Sequence, residues 1–212
     1  MKTTIVRILG FVGLSATSWP LALATIPPAA AAPCPDVEVV FARGTTEPPG
    51  VGGIGQVFVD SLRSQLGARS VGVYPVNYPA SREFDTSTPA GRDDLSAHVQ
   101  SMAASCPDTK MVLGGYSQGT AVVDLATGAM PPAVADHVAA TALFGGPKSS
   151  FADSLSVGPP PALAPLYAAK TIDLCVPNDP ICSEGGWDWG AHSAYVQSGL
   201  VDQAASFAAG RL

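Results

Sequence analysis

The pentapeptide Gly115-Tyr116-Ser117-Gln118-Gly119 sets a hydroxyl between two glycines, and its surroundings give that hydroxyl a use. An apolar run, Met111 to Tyr116, leads straight into it, and a stretch with helical character, Ala121 to Ala126, follows it. A nucleophile elbow needs this order, because the turn from strand to helix is so tight that only small residues fit at Gly115 and Gly119. The serine oxygen then stands exposed above the end of the strand. Glycine-rich turns of this pattern also arise by chance, and the flanking strand and helix are what favour nucleophilic chemistry here. Gln118 would open the helix, where a backbone N–H without an intrahelical partner faces any oxyanion that forms on an attacked carbonyl.

A serine hydroxyl is a weak nucleophile near neutral pH, so a base must take its proton. In strand-turn-helix sites of this kind an acid and then a histidine follow the serine along the chain. His98 precedes Ser117, whereas His137 and His192 follow it. His137 immediately precedes an apolar run, which puts it at the amino edge of a sheet, opposite the elbow. His192 comes after the loop that leaves the last strand-like run, on the elbow's side, and is assigned as the base. Asp173, Asp179 and Asp188 all lie between Ser117 and His192. Asp173 falls inside a strand pattern, and Asp188 sits between Trp187 and Trp189. Asp179 lies between Cys175 and Cys182, and a carboxylate that must orient an imidazole gains from a loop of fixed shape. Asp179 is favoured, with Asp188 as its rival. A second oxyanion donor is expected in the loop after the first strand, where Thr45 offers a backbone N–H and a hydroxyl. Arg43 and Glu47 in that loop read either as a pair that holds it or as exposed surface charges.

These groups need a scaffold that brings distant positions to one edge. Apolar runs of strand length cover Val37 to Ala42, Met111 to Tyr116 and Ala139 to Gly145, with weaker ones at Val71 to Val76 and Thr171 to Val176. Between them come segments with helical spacing, such as Val57, Leu62 and Leu66, and Leu95, Val99 and Met102. This alternation predicts an α/β fold with a mostly parallel sheet and helices on both faces, its ligand site at the carboxyl ends of the strands. Ser193 to Arg211 reads as a closing helix packed on the sheet. Gly158-Pro159-Pro160-Pro161 reads as a surface loop, because proline removes backbone donors and resists both helix and central strand. It is not a domain boundary, since too few residues follow it to build a second core.

Composition narrows the class. The chain has 212 residues, 47% of them apolar and 13% charged, which excludes a disordered tail. Its formal charge of -6 opposes nucleic-acid binding. Residues 1–32 have the grammar of a cleaved signal peptide: Lys2 and Arg7, an apolar stretch broken by Pro20, then Ala29 to Ala32. A membrane anchor is the rival, but Ser15, Thr17 and Ser18 interrupt the stretch and no basic stop-transfer cluster follows. Residues 33–212 then make a single secreted, extracellular domain without stable membrane insertion. Cys34, Cys106, Cys175 and Cys182 remain, and an even count in an exported chain reads as disulfides. Of the three possible connectivities, Cys34 with Cys106 and Cys175 with Cys182 is favoured. The absence of any CxxC pair and the scatter of the histidines speak against a metal.

Taken together, these residues resemble the cutinases, in particular the bacterial secreted cutinase-like esterases. The resemblance rests on the opening cysteine followed by VVFARGTTE, on NYPA at Asn77 to Ala80, on Cys106-Pro107 and on GGYSQG. The DLC and NDPIC elements up to Cys182, and His192 followed by Tyr195, complete it. It spans Cys34 to Leu212. It implies an α/β-hydrolase three-layer sandwich on a five-stranded sheet with no lid domain. It further implies Ser117, Asp179 and His192 as a triad, Thr45 and Gln118 as the oxyanion hole, and the two favoured disulfides. Fungal cutinases commonly carry serine where this chain has Thr45, so the hole gains a methyl group. Trp187 and Trp189 also set the chain apart, and they read either as an apolar wall for an acyl chain or as residues buried against the last helix.

The function expected is a serine esterase acting on carboxylic esters of short to medium acyl chains, lipid-like or polyester, as a monomer and without cofactor or metal. Acetylxylan esterase is the alternative within enzymes, since that group shares the NYPA and GYSQG elements. A non-catalytic secreted binding protein on a hydrolase scaffold is the alternative outside them.

Overall fold

The computed structural model describes residues 33–155 and 160–212. The signal peptide expected over residues 1–32 lies outside them, as do Gly158 and Pro159 of the expected proline loop. Five strands form one sheet: β1 (Val37–Ala42), β2 (Val71–Pro75), β3 (Lys110–Tyr116), β4 (Val138–Phe144) and β5 (Thr171–Leu174). Their order across the sheet is β2-β1-β3-β4-β5, and every pairing is parallel. The three central strands are the long apolar runs, buried along nearly their whole length. β2 and β5 close the edges, which is why their sequences are shorter and more mixed.

Parallel strands require crossovers, and the helices supply them. α1 (Gly52–Leu66) joins β1 to β2, α2 (Phe84–Ser105) joins β2 to β3, and α3 (Gln118–Ala129) with the 3-10 turn Pro132–His137 joins β3 to β4. The short helices α4 (Ser150–Asp153) and α5 (Pro165–Ala168) lie between β4 and β5, and α6 (Trp189–Ser193) and α7 (Leu200–Ala209) follow β5. Alternate side chains of β1 to β4 feed two cores. Val37, Val39, Phe41 and Phe144 pack with Phe58 of α1 and Ala204 of α7 on one face. Val40, Leu113 and Leu143 pack with Leu95 of α2 and Val122 of α3 on the other. The result is the three-layer sandwich expected.

Two expectations need correction or completion. The closing segment is not one helix from Ser193: Ser193 ends α6, and the chain turns through Gly199, at φ 75°, before α7 begins at Leu200. A left-handed residue cannot sit inside a helix, so the glycine divides the segment. No separate lid domain covers the carboxyl ends of the strands among the described residues, and no helix among them is long and apolar enough to cross a membrane.

Candidate active site

The chain runs from β1 outward to β2 on one side and, through β3, to β4 and β5 on the other. The carboxyl ends of β1 and β3 therefore flank the point where the strand order reverses, and ligand sites of open α/β sheets form there. Ser117 lies at that point, between the last residue of β3 and the first of α3, with φ 54° and ψ -119°. Such a backbone is strained for a non-glycine residue, and its neighbours leave no room for relaxation. A Cβ on Gly119 would come within 1.9 Å of the Ala42 carbonyl oxygen, and one on Gly115 within 2.5 Å of the Gly119 oxygen. The glycines of the elbow are thus required by close backbone approach. The Ser117 N–H donates to the Phe144 carbonyl at 2.9 Å, which anchors the turn to β4.

His192 of α6 places Nε2 2.9 Å from Ser117 Oγ. Its Nδ1 lies 2.9 and 2.8 Å from the two carboxylate oxygens of Asp179. Asp179 is fully buried, yet it also accepts from the Ile181 N–H at 2.8 Å and from the Tyr195 hydroxyl at 2.6 Å. Burial alone would raise its pKa. The hydrogen bonds from His192, Tyr195 and Ile181 outweigh that and hold the carboxyl below its ordinary value. An ionised carboxylate only accepts, so the imidazole proton sits on Nδ1 and the Nε2 lone pair faces the serine. This arrangement can take a proton from Ser117 as its oxygen attacks.

The other candidates have different occupations. Asp188 caps α6 by accepting from the Gly190 N–H at 2.8 Å, and Asp173 forms an ion pair with Lys148. His98 lies 2.9 Å from Glu38 and stacks on Tyr74, while His137 ends the 3-10 turn at the amino end of β4. The disulfides pair as favoured, and Cys175–Cys182 closes the loop that carries Asp179.

Thr45 and Gln118 line the same cleft as Ser117. The Thr46 N–H is spent on the Ala80 carbonyl at 2.7 Å, whereas among the described residues no acceptor meets the N–H of Thr45 or of Gln118. The Gln118 side chain is fixed by donating to the Ser81 carbonyl at 3.0 Å. Arg43 and Glu47 do not form the ion pair considered above. Arg43 is buried, and its guanidinium donates to the carbonyls of Glu47 at 2.8 Å and Tyr78 at 2.7 Å. The Glu47 carboxylate instead accepts from the N–H groups of Gly44 at 2.6 Å and Gly53 at 2.8 Å. A guanidinium with five donors ties the Thr45 loop to the segment after β2, a role that charge spacing alone does not reveal.

Residues 33–212 match the family model for Cutinase. The chain belongs to the cutinase family. It is 56% identical over 214 residues, covering 99% of this chain and 96% of the relative, to Carboxylesterase Culp1 of Mycobacterium tuberculosis. Among solved structures it is similar to a Trichoderma reesei cutinase in complex with a phosphonate inhibitor, with a TM-score of 0.68, 39% identity and coverage of 83% of this chain and 76% of the other. It is also similar to an acetylxylan esterase, with a TM-score of 0.72, 25% identity and coverage of 84% and 99%.

The cleft of this cutinase-family protein has a volume of about 760 Å³. Thr45, Arg82 and Thr88 line it near the elbow, and Phe151, Leu155 and Trp189 form an apolar wall. Trp189 stands edge-on to both His192 and Phe151, with ring centres 5.9 and 5.8 Å apart. Trp187 and Trp189 are 76% and 57% exposed, so neither is buried against the last helix. Sequence reasoning gave no role to two tyrosines. Tyr116, inside the elbow motif, donates to the His192 carbonyl at 2.7 Å, and Tyr195 donates to Asp179. Their positions next to Ser117 and three residues after His192 were the available signal. Among the described residues no group of three or more His, Cys, Asp or Glu could hold a metal ion.

Proposed function

We propose that this cutinase-family protein is a secreted serine esterase of carboxylic esters with short to medium acyl chains, and that Ser117, His192 and Asp179 perform the reaction. The observation that carries this reading is the continuous hydrogen-bonded line from Ser117 Oγ through the imidazole to a buried carboxylate, opening on an apolar cleft. Ser117 Oγ attacks the ester carbon as its proton passes to His192 Nε2. The tetrahedral oxyanion is received by the N–H groups of Thr45 and Gln118. As it collapses, His192 returns the proton to the leaving alcohol and an acyl-Ser117 ester remains. Water, deprotonated by the same nitrogen, attacks that ester, and the carboxylic acid departs with Ser117 restored. Asp179 holds the imidazole in its tautomer and stabilises the imidazolium throughout.

The site is complete within one chain, which supports a monomer as the active unit. Export through a cleaved signal at residues 1–32, ahead of a single domain over 33–212, accords with two disulfides and no free cysteine. The likeness to an acetylxylan esterase keeps one narrower reading in view: preference for acetyl groups on a sugar. Nitrophenyl esters from acetate to palmitate, assayed on the protein and on Ser117→Ala, decide between them. The expected result is activity that persists through butyrate and octanoate and falls roughly 10⁵-fold or more in Ser117→Ala. Acetate turnover with butyrate refused would favour the acetylxylan reading. Equal rates for the two proteins would refute the serine mechanism.

A further inference from the structure

An ionised carboxylate with no exposed surface needs a donor for each oxygen, and the source of each donor decides what is tied to what. Around Asp179, the Ile181 N–H comes from the acid's own loop and moves with it. The Tyr195 hydroxyl comes from outside that loop, three residues after His192, in the turn that leaves α6. It reaches Oδ2 at 2.6 Å and leaves the imidazole to complete the coordination. We propose that Tyr195 is a positioning residue, whose hydroxyl locks the Asp179 carboxylate to the chain segment that carries His192 and so fixes the acid relative to the base. This inference rests on the triad reading above.

The surroundings are built around the hydroxyl as well as the ring. Tyr195 is completely buried, with its ring edge-on to Phe144 and Tyr116 at 6.0 Å each. Its oxygen also accepts from the Val176 N–H at 3.4 Å, so both capacities of the hydroxyl are used. Gly145, at φ 61°, passes directly over the contact: a Cβ there would lie 2.7 Å from the Tyr195 oxygen and 3.1 Å from Asp179 Oδ2. The backbone is hollowed where the phenol meets the carboxylate. Burial and the adjoining carboxylate push the phenol's ionisation far above its ordinary value, so it remains a donor at every working pH. Tyr116 complements the arrangement from the other side by holding the His192 carbonyl.

Tyr195→Phe keeps the ring and removes the hydrogen bond. The loss of a charge-assisted bond predicts roughly a 10- to 100-fold fall in kcat on nitrophenyl butyrate, with KM within about twofold. The acid limb of the pH–kcat/KM profile should move to higher pH, because a carboxylate relieved of one donor favours the imidazolium more strongly. Site-specific replacement of Tyr195 by 3-fluorotyrosine keeps the shape with a more acidic phenol, and should move the same limb to lower pH while kcat is retained. A fall in kcat of Tyr195→Phe with the limb in its original place would mean a packing role and overturn the proposal, as would unchanged kinetics. Should Tyr195→Phe fail to fold by near-ultraviolet circular dichroism, the fluorotyrosine protein decides alone, and an unmoved limb overturns it. Ser117→Ala run alongside separates the two claims. If it stays active the triad reading has failed, and if it is dead while the Tyr195 limbs are unmoved only this inference has.

Discussion

Seven residues beyond Ser117, Asp124 of α3 carries a buried carboxyl, and its removal should make the protein more stable. It is 9% exposed, and its Oδ1 has no hydrogen-bond partner. Burial, with Asp173 nearby adding repulsion that Lys148 only partly offsets, pushes its pKa from the ordinary 3.8 to about 7. Below pH 4 the carboxyl is protonated in both folded and unfolded chains and costs nothing extra. Between pH 4 and 7 the unfolded chain ionises while the folded one keeps its proton, so stability falls as pH rises. Above 7 the folded state also ionises and the penalty is complete. A shift of about 3 units corresponds to about 4 kcal/mol in full. Asn at this position cannot ionise but still buries an amide, so Asp124→Asn should gain about 2 to 4 kcal/mol at pH 8 and far less at pH 4. In a domain of this size that is a rise in Tm of roughly 5 to 15 °C. Guanidinium unfolding of both proteins at pH 4, 6 and 8, with disulfides intact, measures it. A difference that is the same at all three pH values, or that favours the parent at pH 8, would refute the assignment of a buried, unpaired carboxyl.

The two disulfides should separate stability from catalysis. Replacing Cys34 and Cys106 by serine opens a link across 72 residues and should cost about 4 kcal/mol of stability, while kcat per folded molecule, counted by phosphonate titration, is unchanged. Replacing Cys175 and Cys182 opens a link across only 7 residues and costs about 2 kcal/mol, yet kcat should fall at least tenfold, roughly, because the loop that holds Asp179 loosens. Equal kcat in the two pairs would contradict that division. Trp189→Ala should leave turnover of the acetate ester near its parent value and cut kcat/KM on octanoate by roughly tenfold, as an acyl chain loses part of its apolar wall. A uniform loss across the series would mean that Trp189 supports His192 instead.

What the residues disclose before folding depends on whether their neighbours in space are also neighbours in sequence. β1, β3 and β4 are runs of apolar residues that only a doubly covered parallel strand explains, and their observed limits lie within a residue of those read from composition. The elbow is legible for the same reason: strand, glycine, serine, glycine and helix are contiguous. The acid is a harder case. Three aspartates satisfy the chain order, and only a cysteine loop and family likeness favour Asp179 over Asp188. The structure brings Asp179 beside His192 and gives the others partners that no spacing encodes, Lys148 for Asp173 and the first turn of α6 for Asp188.

Buried polar groups were the least legible of all, and they are where the fold touches the chemistry. Arg43 and Glu47, four apart with opposite charges, invite an ion pair, but each prefers backbone partners, because a buried loop has many carbonyls and N–H groups to satisfy and few side chains with which to do it. Tyr116 and Tyr195 look like core aromatics by period and composition, and by burial they are largely that. Their hydroxyls matter because the carboxyl edge of a parallel sheet is where strands end, backbone pairing stops and unpaired polar groups collect. An esterase on this scaffold must spend side-chain donors there before any substrate arrives: on Asp179 to keep it ionised, and on the His192 carbonyl to hold that segment in place. A sequence motif marks the hydroxyl at the strand-to-helix turn. Tyr116 adjoins Ser117 and Tyr195 follows His192 by three residues, yet each hydroxyl meets a partner from another stretch of chain, the His192 carbonyl for Tyr116 and Asp179 for Tyr195, and only the folded chain brings them into contact.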